Sequence, residues 1–83
     1  MTETYKEHWA YKEVSKNYNT KVTKDSVVIY FEDGDIYASF KLVNDEDMYF
    51  IYCDGEMIND ELDFYETYDE AVGSCFYYFH TRF

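Results

Sequence analysis

Three segments between Ser26 and Cys53 have the composition of strands, and the polar stretches that separate them have the length of hairpin loops. "SVVIYF" (26–31), "IYASFKLV" (36–43) and "MYFIYC" (48–53) are rich in β-branched and aromatic residues. They are joined by "EDGD" and "NDED", and Asp33-Gly34 is a strong turn dipeptide. An antiparallel meander follows. In the middle segment Ile36, Ala38, Phe40 and Leu42 share one face and Tyr37, Ser39 and Lys41 the other, the alternation of a sheet covered on one side. In the third, Met48, Phe50 and Tyr52 oppose Tyr49, Ile51 and Cys53, with apolar atoms on both sides. Asp54-Gly55 marks another turn, and Glu56–Tyr65 is either a short fourth strand or an irregular crossing.

Helical periodicity flanks this block. Residues Thr4–Tyr18 carry Tyr5, Trp9, Val14 and Tyr18 as an imperfect stripe of about four turns, with Glu3 placed before Lys6 and Glu13 before Lys16 for i,i+3 pairing. Asn17, Asn19 and Thr20 end it. At the other end, Thr67 with Glu70 forms a capping box, and Asp69 adds negative charge to the first turn. Tyr68, Ala71, Val72, Cys75, Phe76 and Phe79 then repeat at helical spacing. Gly73 inside this helix costs about 1 kcal/mol, so it either permits a close approach or is tolerated. The expected fold is a single compact α+β domain over residues 1–83: a meander of three strands, or four, with N-terminal and C-terminal helices packed on one face. The other face would show tyrosine and charged side chains.

At 83 residues a compact domain has a radius of gyration of about 12 Å and a small core. There is no proline, so no polyproline segment, and no low-complexity linker or internal repeat. "MTETYKEHWAYKE" has neither a basic lead nor an apolar stretch of signal length, and no run of 18 apolar residues occurs elsewhere. The expectation is a soluble, cytoplasmic protein without membrane association. Cys53 and Cys75 each sit in apolar surroundings and are expected to be buried free thiols.

Charge is the outlying property. The chain carries 18 acids against seven basic residues, a formal net charge of −11. Residues 1–31 hold five lysines and four acids, whereas residues 32–83 hold Lys41 and Arg82 against fourteen acids. A solubility role requires a net charge of only about 2 to 8 in magnitude, and self-repulsion beyond that opposes compaction. The sign argues against direct nucleic-acid binding, which needs a basic footprint, and against docking on anionic lipid.

Enzymatic readings find little support. Acids in hydrophilic turns are ordinarily solvated, whereas catalytic acids need burial or a close partner. His8 and His80 lie near opposite ends of the chain, and Cys75 with His80 would be about 140° out of register on one helix. No dinucleotide, phosphate-loop, zinc-protease or C-x-x-C motif is present. "DEDMYFIYCDGE" (45–56) has the length and end residues of a calcium loop, but Tyr49 and Phe50 occupy its ligand and glycine positions. No catalytic group, metal or cofactor is therefore expected.

The acids instead suggest a surface. Glu32, Asp33 and Asp35 fall in the first loop, Asp45, Glu46 and Asp47 in the second, and Asp54 and Glu56 in the third, continuing into Asp60, Glu61, Asp63 and Glu66. In a meander the first and third loops share one end of the sheet and the second takes the other, spreading charge over about 25 to 30 Å. A DNA duplex presents one negative charge per about 1.7 Å of axis, and same-face strand residues repeat every ~6.8 Å, so carboxylates can occupy some phosphate-like positions. The fitting partner is a basic nucleic-acid-binding protein, drawn in by long-range attraction. Its arginines would pair with acids and stack on tyrosines. Tyr49, beside the second loop, belongs to this candidate surface. The alternative for the eleven tyrosines is that half or more complete the core.

In size, in "FEDGD", "VNDED", "CDGE" and "NDELDFYE", and in its helix, meander, helix order, the chain resembles the small acidic inhibitors that phages and mobile elements direct against host defence proteins. These include anti-CRISPR and anti-restriction DNA mimics. The resemblance implies stoichiometric blockade of a host nuclease or defence effector, without catalysis or cofactor. The lysine-bearing first segment departs from a uniformly acidic mimic, which leaves open that only one side engages. A second reading is an immunity or antitoxin-like protein that neutralises a basic toxin nuclease, and a third is a small enzyme or structural subunit.

Overall fold

The computed structural model describes residues 4–59 and 63–83. A 3₁₀ turn over Thr4–Glu7 leads into α1 (Trp9–Asn17). Strands β1 (Asn19–Val22), β2 (Ser26–Tyr30), β3 (Ile36–Asp45), β4 (Met48–Cys53) and β5 (Glu56–Met57) follow, and α2 (Tyr68–Arg82) closes the chain. The strands pair antiparallel in sequence order, β1-β2-β3-β4-β5. The radius of gyration is 11.9 Å. The α+β meander between two helices is as the sequence indicates, with two further strands at its margins.

β1 is the strand the sequence did not disclose. Asn19 and Thr20 read as a helix stop, and of the four residues Asn19 and Lys21 are depleted in strands, leaving Thr20 and Val22 to favour one. Pairing with β2, from Asn19 opposite Tyr30 to Val22 opposite Val27, recruits them. The described residues of the "EMINDELDFY" segment, 56–59 and 63–65, include a short strand and irregular chain. Glu56–Met57 pairs with Tyr52 and Cys53. Asn59 then tucks its side chain beneath the edge of β4, accepting from Ile51 N–H at 2.9 Å and donating to Asp63 O at 3.0 Å. Tyr65 exchanges two backbone hydrogen bonds with Tyr49. The outer edge of β4 is thereby satisfied along its length, as an exposed edge would otherwise invite pairing with another chain.

Val27, Ile29, Ala38, Phe40, Leu42 and Ile51 are buried on the inner face. The alternation of β3 fails at its start, where Ile29 pairs with Ala38 but Tyr30 pairs with Ile36. Tyr37 is the extra residue of a β-bulge. The bulge turns Tyr37 inward, against Phe79 at 5.1 Å and Tyr18 at 5.5 Å, and leaves Ile36 outside the core at 61% exposure. The expected grouping of Ile36 with the core face, and of Tyr37 with the open face, is corrected accordingly.

α2 lies across the inner face. Its stripe is the expected one: Ala71, Val72, Cys75, Phe76 and Phe79 are buried, and Tyr68 packs against this core. Thr67 Oγ1 accepts from Glu70 N–H at 3.1 Å, capping the first turn. α1 packs alongside α2, with Tyr11 on Phe76 and Tyr18 on Phe79. The single N-terminal helix expected from the sequence is broken at His8. That residue has extended backbone and caps α1 by accepting from Ala10 N–H through Nδ1 at 3.1 Å. The break rotates α1 relative to the preceding turn, so Tyr5, Ala10 and Val14 face the core while Trp9 is 52% exposed. Glu13 and Lys16 form the expected i,i+3 pair at 3.6 Å. The proposed partner of Lys6, Glu3, lies outside the described residues.

Gly73 is a site of close approach. A Cβ there would stand 2.9 Å from His8 Cδ2, inside van der Waals contact, so the capping imidazole rests where a side chain would be. Gly73→Ala should therefore destabilise the protein by about 1 to 3 kcal/mol, the scale of overpacking, although alanine is the better helix former by about 1 kcal/mol. Urea unfolding monitored by circular dichroism checks this, and a more stable variant would mean that the ring moves aside freely.

Candidate acidic interface

Two helices cover one face of the sheet and leave the other open. By the register, Val28 and Tyr30 of β2, Ser39, Lys41 and Val43 of β3, and Phe50 and Tyr52 of β4 project to the open side. This face carries the tyrosines and charge expected, together with more aliphatic and aromatic surface than the sequence suggested. A shallow trough of about 600 Å³ runs over it, lined by Ser39, Lys41, Val43, Tyr52, Asp54 and Gly55.

The acids stand at the margins of this sheet, on turns with fixed backbones. In the β2–β3 loop, Phe31 N–H donates to Asp35 O at 2.8 Å and Gly34 N–H to Phe31 O at 3.0 Å. Asp33 Oδ1 accepts from Asp35 N–H at 3.0 Å, an Asx turn that holds its carboxylate in place. Gly34 takes φ of 96°, which a glycine adopts without strain. The β3–β4 turn has only two central residues, Glu46 and Asp47, between the paired Asp45 and Met48. Both have positive φ, 49° and 67°, as a two-residue hairpin matching the sheet twist requires. Asp54 and Gly55 repeat this geometry at 53° and 83° between Cys53 and Glu56.

Glu32, Asp33, Asp35, Asp45, Glu46, Asp47, Asp54, Glu56, Asp63 and Glu66 are all exposed. Among the described residues, none of them lies within ion-pair distance of a lysine or arginine. Asp60 and Glu61 lie outside the described residues. The first and third loops fall at one end of the meander and the second at the other, separated by roughly 30 Å along the ten residues of β3. Acids appear on strands only at their ends, Asp45 and Glu56. Charge therefore comes in clusters of two or three at the turns and does not repeat along strand faces at the spacing considered above. Lys21 on β1 and Lys24 in the β1–β2 turn, beside the exposed Asp25, occupy the opposite edge from β5, and Lys41 stands on the open face between the acidic ends.

Most tyrosines serve the core. Tyr5 and Tyr65 are buried, and Tyr11, Tyr18, Tyr37, Tyr49, Tyr68 and Tyr78 pack against the same cluster. Tyr49 turns inward, edge-on to Tyr68 at 6.3 Å, while its hydroxyl accepts from Asn44 Nδ2 at 3.3 Å. Tyr30 and Tyr52 remain for the open face. Exposed aromatic residues that the sequence does not mark as surface include Trp9, Phe31, Phe64 and Phe83. Phe31 closes the strand-like run "SVVIYF" in the sequence but begins the acidic loop in the structure, and its position next to Glu32 and Asp33 is the sequence signal for that.

The cysteines and histidines lie away from these turns or at their margin: Cys75 is buried and Cys53, next to Asp54, is half-buried. Cys53 and Cys75 are free. Burial pushes the Cys75 thiol far above its ordinary range, and burial followed by the Asp54 and Glu56 charges raises Cys53. Both shifts disfavour the thiolate that nucleophilic or metal chemistry requires. The fold brings both histidines to Trp9, His8 at 6.0 Å and His80 at 5.0 Å between ring centroids. No group of three or more His, Cys, Asp or Glu among the described residues is arranged to hold a metal ion. No described helix is long and apolar enough to cross a membrane. Compared with known families, curated proteins and solved structures, the chain matches none.

A turn with both φ values positive favours Asn-Gly or Asp-Gly; glutamate at its first position costs about 1 kcal/mol, and aspartate at its second, though better tolerated than most side chains, is less suited than glycine. Replacing them, as E46N/D47G, should raise stability by about 1 kcal/mol in urea unfolding. It should also exceed the gain of E46Q/D47N, which removes the same charges and keeps side chains at both positions. Equal stability of native and E46N/D47G proteins would show that the turn is unstrained.

Proposed function

We propose that this protein is a stoichiometric inhibitor whose acidic turns occupy the nucleic-acid-binding groove of a basic protein, such as a host nuclease or defence effector. The observation that carries the reading is the state of the carboxylates. They are exposed, without lysine or arginine partners among the described residues, and mounted on hairpin turns whose backbones are fixed by hydrogen bonds. Preformed charge does not have to be ordered on binding, which lowers the entropic cost of association.

Clusters at both ends of the sheet, about 30 Å apart, present a partner with two anionic footholds along one axis. The interval is close to one turn of duplex DNA, roughly 34 Å. The partner's arginines and lysines would exchange phosphates for carboxylates at these points, and the lysine-bearing β1 edge would face away. Inhibition of this kind is exclusion by occupancy, with no bond made or broken, so neither a catalytic group nor a cofactor enters it. Steering by the net charge makes association fast at low salt and slow at high salt.

The test is competition. Partners captured at 50 mM salt should be displaced by excess duplex DNA, and D45N/E46Q/D47N should fold normally while lowering the association rate in stopped-flow measurements. A captured partner that holds equally well in the presence of DNA overturns the proposal.

A further inference from the structure

The end of the sheet that carries Glu32 and Asp33 also carries a hollow of about 370 Å³, lined by Asn17, Tyr18, Phe31, Glu32 and Asp33. Its walls differ in chemistry. Phe31 stacks on Tyr37 with ring centroids 4.2 Å apart and planes 15° from parallel, and the residue remains 42% exposed. Tyr18 is held edge-on to both Tyr37 and Phe79. The aromatic wall is thus braced from behind by the core. On the other side, Asp33 is fixed through Oδ1 by Asp35 N–H, which leaves Oδ2 for a ligand. Asn17 donates through Nδ2 to Glu13 O at 3.1 Å, which leaves its Oδ1 as an acceptor.

We infer that this hollow is a guanidinium site, the seat of one arginine side chain from the basic partner. The inference rests on the function proposed above and specifies one contact within it. A flat aromatic face, two adjacent carboxylates and an amide oxygen match a planar cation with five donors. The ring accepts it by stacking, and the carboxylates take its N–H groups. A compact ammonium would satisfy the carboxylates but gain less from the ring. An anion is repelled. A second copy of this chain is a poor source, since it carries one arginine and a net charge of −11. Glu13, in the adjoining hollow, is partly neutralised by Lys16, which concentrates the available negative charge at Glu32 and Asp33.

The probe is N-acetyl-arginine amide, titrated at about 0.1 M salt, where the screening length is about 10 Å, into the ¹⁵N-labelled full chain, with N-acetyl-lysine amide as comparison. The arginine probe should move the backbone amides of residues 31–34 and the Asn17 side chain saturably, and more tightly than lysine. E32Q/D33N should weaken it roughly tenfold, the scale of charge-assisted hydrogen bonds, with residue 33 still able to close the Asx turn. D45N/E46Q/D47N, which removes charge from the far end, should leave it within about twofold, because those acids lie beyond the screening length. F31L should weaken arginine by about two- to fivefold, the scale of an exposed cation–π contact, and narrow its advantage over lysine. Equal binding of both probes, equal loss in both charge variants, or shifts that map elsewhere would each overturn the inference. No nucleic-acid-binding protein is present in this titration, so its failure leaves the DNA-displacement result standing, and a failed displacement leaves the pocket standing.

Discussion

The seating of α2 across one face of the sheet is the contact on which the rest of the molecule depends. Val72, Cys75, Phe76 and Phe79 of α2 share one buried cluster with Val27, Ile29, Phe40 and Ile51 of the sheet, and burying each large apolar side chain contributes about 1.5 to 3 kcal/mol. α1 is stabilised chiefly through α2, by ring contacts and by the His8 imidazole lying on Gly73. Tyr68 reaches from the first turn of α2 to donate to Thr23 O at 2.7 Å, tying the helix to the β1–β2 turn. A helix of 15 residues thus organises both its neighbour and the sheet.

That arrangement dictates where charge goes. A small domain with one helical layer has few inward positions, and aromatic residues fill them. The carboxylates are left to the turns, where water solvates them and repulsion is reduced by distance. Glu46 and Asp47 sit at positive φ in a turn that Asn-Gly would suit better, so the acids stand there against local backbone preference. Positive-φ turn residues, carboxylates without basic partners among the described residues and an open sheet face occur together on this surface.

The elements with strong local signals were legible. The Thr67 cap and the stripe from Tyr68 to Phe79 specify α2, and the alternation through Ala38, Phe40 and Leu42 with the two D-G turns specifies the hairpins. What escaped the sequence was set by tertiary partners. β1 has weak propensity of its own and exists because β2 offers an edge. The bulge at Tyr37 is invisible to a period-2 pattern, and it exchanged the faces of Ile36 and Tyr37 because α2 gives Tyr37 a place against Phe79. The break at His8 follows from a cap supplied by an imidazole, a residue not ranked among usual caps, and it carried Trp9 outward. For the acidic surface, composition and turn positions were enough to name the loops. The hollow beside Phe31 needed the C-terminus of α1 and the β2–β3 loop to be brought together, and no sequence pattern relates Asn17 to Glu32.

The central claim is that the turn carboxylates generate a concentrated negative field over ordered backbone. Near-surface potentials measured residue by residue, from the NMR relaxation enhancements of matched cationic and anionic nitroxide probes, test it most directly. The account predicts the most negative potentials at the amides of residues 32–35, 45–47 and 54–56, and the least negative along Lys21 and Lys24. A potential that is even over the surface, or weakest at those turns, would contradict it.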